Sequence, residues 1–400
     1  MAASSVSDWV RRNETLRSSH ADSYGRVPQH TWFYRADYPN DACMHALNET
    51  VFRGFGEVEF HLHHGYDTPS GFGAKLDDGL DWFNSFGAMI GAQTKPSRRF
   101  AYIAGDWALD NGRGDPRFSG VDVEIRLLKA FGCYADFTFP AFGTSAQPRT
   151  VNSIYYATED GRPKSYSVGV PAKKGRPPAG DLPLVQGPLF LDWLKGYVET
   201  AALELGTPYA PNRLRYWLDA DVHVQGRPDC RIIKLHTHGM QSRQMILGPQ
   251  MTQMFSDVEK WSADNGVRLH YVNAREVFNF VRAVEHGFDG DPHDVLDFEV
   301  AKPINRVLQC NVRYACTKCD SSGVALRLLE SRPVRLEFAG GPIRSVVADD
   351  FHEIEIRHRA AESATLTISG SGTCDIEYGS ADGSQRCTVV LPGTFTLPAS

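Results

Sequence analysis

Three imidazoles crowd into four positions of "HLHH" (His61, His63 and His64), and two more stand one residue apart in "KLHTHG" (His236 and His238). Neutral imidazole nitrogens are good ligands for zinc and similar divalent ions. An ion held there would lower the pKa of water enough to make a nucleophile at neutral pH. A further histidine, protonated, would supply a proton to the leaving group. A lone histidine is usually a hydrogen-bonded core residue, but two H-x-H pairs in matching contexts favour a site.

Both pairs sit in β-like runs, where side chains alternate between faces. In "EVEFHLH" Val58, Phe60 and Leu62 share one side, and Glu57, Glu59, His61 and His63 the other. In "IIKLHTH" Ile233, Leu235 and Thr237 oppose Lys234, His236 and His238. The apolar sides are expected to pack under helices. The histidines are expected at the C-terminal strand ends, where the active sites of β/α barrels form.

Such a scaffold is consistent with the rest of the pattern. Strands are expected at 30–34, 57–63, 99–105, 134–139, 181–187, 231–238 and 268–272, with helical stretches between them. "LDWLKGYVETAALELG" (191–206) has helical spacing and ends at a glycine, and "NAREVFNFVRAVEHG" (273–287) opens with the capping box Asn273/Glu276. Residues 5–24 also read as a helix. The expected fold class is α/β, a distorted (β/α)7-type barrel over residues 1–300. From 301 to 400 period-two alternation between Gly, Ser and Asp turns predicts a small all-β sandwich. The Pro-, Gly- and Lys-rich stretch 158–180 is expected to be an exposed loop.

"HTWFYRADYP…GFGEVEFHLHHGYDT", "GCYADFTFPAF" (132–142) and "IIKLHTHG" together resemble the polysaccharide deacetylase family (carbohydrate esterase family four), most closely its bacterial deacetylase-like branch. The resemblance implies a distorted barrel that removes acetyl groups from N-acetylated sugars. It also implies a divalent metal, zinc foremost, held by an aspartate and two histidines, with a second aspartate as general base and a late histidine as general acid. Carried over by position, His61 is a metal ligand and Leu235–His236 the late motif. The family's second metal histidine falls on Gly65, so His63 or His64 must substitute, His64 being favoured because a turn after the strand would swing it inward. The family's Asp-Asp strand has no counterpart ahead of the helix at 5–24. Asp67, Asp106 and Asp136, near expected strand ends, are the candidate substitutes, Asp67 as a metal ligand and Asp136 in catalysis. His236 is the expected proton donor, assisted or replaced by His238.

Around these residues, Asp106 and Trp107 in "GDWALDNGRGD" would suit a sugar subsite, the ring by stacking and the carboxylate by binding hydroxyls. Asp219, Asp221 and His223 alternate in "LDADVHVQG" as a lesser metal candidate, and "AKKGRPP" (172–178) is a short basic run. "CTKC" (Cys316 to Cys319), with Cys310 nearby, is half a zinc site at most. With 42% hydrophobic and 22% charged residues and a net charge of -6, the 400-residue chain reads as a globular protein without the basic face of a nucleic-acid binder. No stretch has the roughly 20 apolar residues of a membrane span, and the N-terminus lacks a signal-peptide h-region. A cytoplasmic location with mostly reduced thiols is therefore expected. The expected partner is a carbohydrate or N-acetylated small molecule. Two other readings stand beside the deacetylase: a degenerate barrel kept as a glycan-binding or scaffolding module, favoured by the missing Asp-Asp strand, and an amidohydrolase-type metal barrel.

Overall fold

The computed structural model describes residues 2–84, 86, 88–89, 99–239 and 243–303, together with the backbone of strands between 315 and 397. In chain order the first part contains α1 (Ala2–Arg17), β1 (His30–Arg35), α2 (Asp41–Phe52), β2 (Gly56–Leu62), α3 (Pro69–Asn84), β3 (Phe100–Ala104), α4 (Glu124–Ala130), β4 (Cys133–Asp136), β5 (Ile154–Ala157), β6 (Val170–Pro171) and β7 (Leu182–Val185). There follow β8 (Phe190–Asp192), β9 (Tyr197–Glu199), α5 (Pro211–Asp219), α6 (Arg243–Ile246), α7 (Pro249–Asp264) and α8 (Ala274–Glu285).

β1 to β7 form one sheet in the order β1-β2-β3-β4-β7-β5-β6. The first five strands of that order run parallel, while β5 and β6 join antiparallel at the far edge. Alternation in β2 decides what each face carries. Val58, Phe60 and Leu62 enter a core with Met44, Leu47 and Val51 of α2 and Phe72, Leu76, Leu80 and Phe83 of α3. Glu57, Glu59 and His61 take the opposite face, which α8 covers with Val277, Phe278, Val281 and Val284 against Tyr134, Phe137, Ile154 and Tyr156. There Arg275 of α8 grips Glu57 through two bonds of 2.9 Å, with both side chains at most 2% exposed. The expected capping box at Asn273/Glu276 starts α8.

The α/β class stands, but the sheet is not a closed barrel: β1 and β6 are its two edges. The segments 231–238 and 268–272, expected as closing strands, lie in no strand. The first has a single β-bridge, parallel, between Ala202 and His236. The expected helix at 191–206 is instead the β8–β9 hairpin. Asp192 accepts from the backbone of Leu194 and Lys195 (3.1 Å each), and Gly196 adopts φ 60°, so turn chemistry overrides the helical spacing. Asp219 closes α5 and Asp221 has φ 52°, so Asp219, Asp221 and His223 do not share a strand face. Stretch 158–180 is mostly exposed, yet it also supplies β6 and the buried Tyr166.

The C-terminal part is antiparallel β, as its alternation predicts. Strands 315–320, 323–327, 353–358 and 343–349 form one sheet, and 335–340, 364–380 and 383–397 another. Cys310 and the side chains of Cys316 and Cys319 lie outside the described residues. Among the described residues no helix is long and apolar enough to cross a membrane.

Candidate functional site at the C-terminal edge of the sheet

His61 closes the polar face of β2, and its Nδ1 lies 2.8 Å from the carbonyl oxygen of Ile103 in β3. A carbonyl only accepts, so this nitrogen carries the proton and Nε2 keeps a lone pair. His63, just beyond the strand, has its Nδ1 3.1 Å from Oδ2 of Asp106, which fixes the same tautomer. The two Nε2 atoms then face each other at 3.0 Å. Two lone pairs at that distance repel unless a proton or a cation lies between them. Burial pulls the His61 pKa down to about 4 and so disfavours an added proton, while the hydrogen bond to the Ile103 carbonyl opposes part of that shift. Gly105 makes the close approach possible, because a Cβ there would lie 2.5 Å from Cγ of His63. Asp37, two residues past β1, accepts the His63 backbone N–H at 3.3 Å and pairs with Arg35.

The loop after β3 is held in an unusual conformation. Asp106, Trp107, Asp110 and Asn111 all have φ between 49° and 57°. Aspartate and asparagine tolerate this region, but a tryptophan there is an outlier, and each such residue costs on the order of 1–3 kcal/mol. A buried network holds the loop down. Oδ2 of Asp110 accepts from the backbone and hydroxyl of Ser165 (2.9 and 2.5 Å), Asp110 N donates to Glu124 at 2.8 Å, and Asn111 donates to Asp122 at 2.7 Å. Burial pushes the Asp110 carboxyl up to about 8. The result is that Asp106 is turned towards His63 while the Trp107 ring meets His238 edge-on, centroids 5.5 Å apart.

The second pair arrives without a strand. His236 donates its backbone N–H to Ala201 (3.1 Å) and accepts from Leu203 (2.8 Å). Burial, and then the Lys234 charge, hold its imidazole down to about 4. His238, more exposed, donates Nδ1–H to Glu204, whose Oε1 also accepts the His238 backbone N–H at 3.2 Å. The two rings are 6.0 Å apart, nearly perpendicular. The pairs therefore meet at one sheet edge through consecutive residues, Asp106 touching His63 and Trp107 touching His238.

Three expected residues lie elsewhere. β2 ends at Leu62, and the turn that follows sends His64 beneath α3, its ring 4.4 Å from that of Phe72 and its Nε2 3.3 Å from Glu124. His64, the favoured second metal ligand, is thus on the opposite face from His61, and His63 is the residue that meets it. Asp67 goes with His64 (3.5 Å) and is engaged by Lys75 at 2.8 Å, so it too is apart from the His61–His63 pair. Asp136 is fully buried and accepts from the backbone and hydroxyl of Thr138 (3.0 and 2.7 Å). Burial raises its carboxyl to about 7. Sequence reasoning missed Asp37 and Glu204. Asp37 follows the first strand in "YRADYP", a visible signal, whereas Glu204 was hidden inside the expected helix at 191–206.

Among the described residues no group of three or more His, Cys, Asp or Glu side chains forms a ready-made metal centre. The donor set nonetheless suits a cation at two points: both Nε2 atoms face one position, and both Nδ1–H groups are anchored on outer acceptors, as in metal-binding histidines generally. Fold and site together define a mixed α/β protein with a histidine-lined site at the C-terminal edge of a mostly parallel, helix-flanked sheet. Compared with protein-family models, curated proteins and solved structures, the chain matches none.

Proposed function

We propose that this chain is a metal-dependent hydrolase that removes acetyl groups from an N-acetylated sugar or polysaccharide. The observation that carries the reading is the 3.0 Å approach of the Nε2 atoms of His61 and His63, each ring fixed from behind. His61 and His63 would hold the ion. A divalent cation, zinc foremost, supplies a Lewis acid that acidifies water and polarises an amide carbonyl. The remaining chemistry falls to the chain. Asp106 holds the His63 ring in its tautomer. His238, with Nδ1–H engaged by Glu204, keeps Nε2 for passing a proton to the leaving amine. His236, neutral through burial and the Lys234 charge, stands beside it as an edge-on neighbour rather than as the acid. Trp107 and Asp106 form the wall against which a sugar ring would sit. Residues 301–400 are read as an accessory β-sandwich.

The lack of a three-ligand group among the described residues favours a second reading, a deacetylase-like module that binds glycans without turning them over. Metal analysis of the purified chain by mass spectrometry, followed by acetate release from N-acetylglucosamine oligomers, separates the two. Metal with acetate release supports the hydrolase. Metal or glycan binding without release supports the binding module, and neither metal nor release refutes the hydrolase.

A further inference from the structure

Lys234 stands at the junction between the sheet and the His236/His238 segment. Its ammonium donates to the carbonyl oxygens of Phe137 (2.5 Å), Phe139 (2.6 Å) and Val185 (3.0 Å). An ammonium has three N–H donors, and all three are used. The acceptors lie at or just past the ends of β4 and β7, and the Phe139 carbonyl also accepts from the Gly187 N–H at 3.0 Å. Gly187 leaves room for this arrangement, since a Cβ there would lie 2.9 Å from the Lys234 carbonyl oxygen and 3.1 Å from its Cε. Burial pulls the Lys234 ammonium down to about 7, and the buried Asp136 carboxyl beside it opposes that fall.

We propose that Lys234 is a positioning residue: its ammonium ties segment 231–238 to the carbonyl ends of β4 and β7 in place of strand pairing, and when protonated it places a positive charge behind His236, so that the proton-carrying role falls to His238. The observation behind it is that a segment with only one β-bridge of its own nevertheless carries two histidines to a definite place. The charged groups acting on His236 are Lys234 and His238, which disfavour its protonation, and Glu204 and Glu199, which favour it. Glu199 is held by Arg213 through bonds of 2.7 and 2.6 Å, so its influence is largely spent. Lys234 is then the charge whose removal His236 would register most. The division of labour between the two histidines rests on the hydrolase reading, whereas the tie and the charge do not.

The test is a proton NMR titration of the imidazole rings in the full chain, comparing wild type with Lys234→Met, Lys234→Gln and Lys234→Arg. The Met and Gln variants are expected to move the His236 midpoint up by about one pH unit, while Arg leaves it where it is. An unmoved midpoint in a folded Met or Gln variant overturns the proposal. If neither neutral variant folds while Arg does, the need for a charged donor at this junction is confirmed. Acetate release is measured in parallel. A wild type that shows the NMR behaviour but releases no acetate refutes the hydrolase reading and leaves Lys234's role standing.

Discussion

The two H-x-H pairs reach one edge of the sheet by different physics. The first starts in β2, with His61 in the strand and His63 just past its end; β2 has parallel neighbours on both sides and, on its polar face, the buried Glu57–Arg275 pair and Glu59. The second rides on a segment with one bridge, held by the Lys234 ammonium and the Glu204 carboxylate. A site assembled this way has one half as rigid as the core and another half that depends on a few side chains. Changes beneath the first pair should therefore cost the fold, and changes beneath the second should cost chemistry while sparing it.

The largest contrast is expected from Arg275→Met, which strands the Glu57 carboxylate in the core. Removing one partner of such a pair costs about 3–5 kcal/mol, readable as a lower midpoint in urea unfolding. Its counterpart on the second pair is Glu204→Gln. This change should lower acetate release about 100-fold or more while moving stability by less than about 1 kcal/mol, since the His238–Glu204 contact is partly exposed. Equal stability losses for the two variants would break the comparison.

Asp106→Asn sharpens the comparison from within the first pair. Replacing the carboxylate behind a metal-binding imidazole typically weakens metal affinity about 10–100-fold, measurable by competition with a chromogenic chelator. No change there would mean that Asp106 does not orient His63. A further contrast concerns Glu59, read through pH rather than through a single variant. Its carboxyl is pushed up to about 8, chiefly by burial, while the Tyr134 hydroxyl and the Ala101 N–H offset part of that. Because the folded pKa lies above the unfolded one, its contribution to stability is complete below the unfolded value near 4.5 and is lost as pH rises through about 8. Stability should fall across that window by at most about 1.4 kcal/mol per pH unit for this group. In Glu59→Gln the fall should be shallower, and an unchanged slope would show that Glu59 is ionised in the fold.

The parallel strands were legible because each is a short, β-branched or aromatic run bounded by turn residues, as in "HTWFY" and "RFAYIAG". The start of α8 was legible because Asn273 and Glu276 form a local capping pair. Barrel closure was not, because it depends on long-range pairing: 231–238 has the alternation of a strand but ends up held by a lysine, and α8 occupies the face that further strands would have enclosed. His61 and His63 were readable from strand periodicity. His64 was misplaced because the chain turns at Leu62, and the turn sends it to the other face. Glu204 escaped notice because helical spacing in "LDWLKGYVETAALELG" masked the turn at Asp192 and Gly196.

Calorimetric titration of the chain with Zn²⁺, comparing wild type with His61→Ala, His63→Ala and His64→Gln, addresses the facing imidazoles directly. A single binding event in wild type and His64→Gln that disappears in both alanine variants is the predicted result. A wild type that takes up no ion, or alanine variants that bind it as tightly as wild type does, would contradict the account.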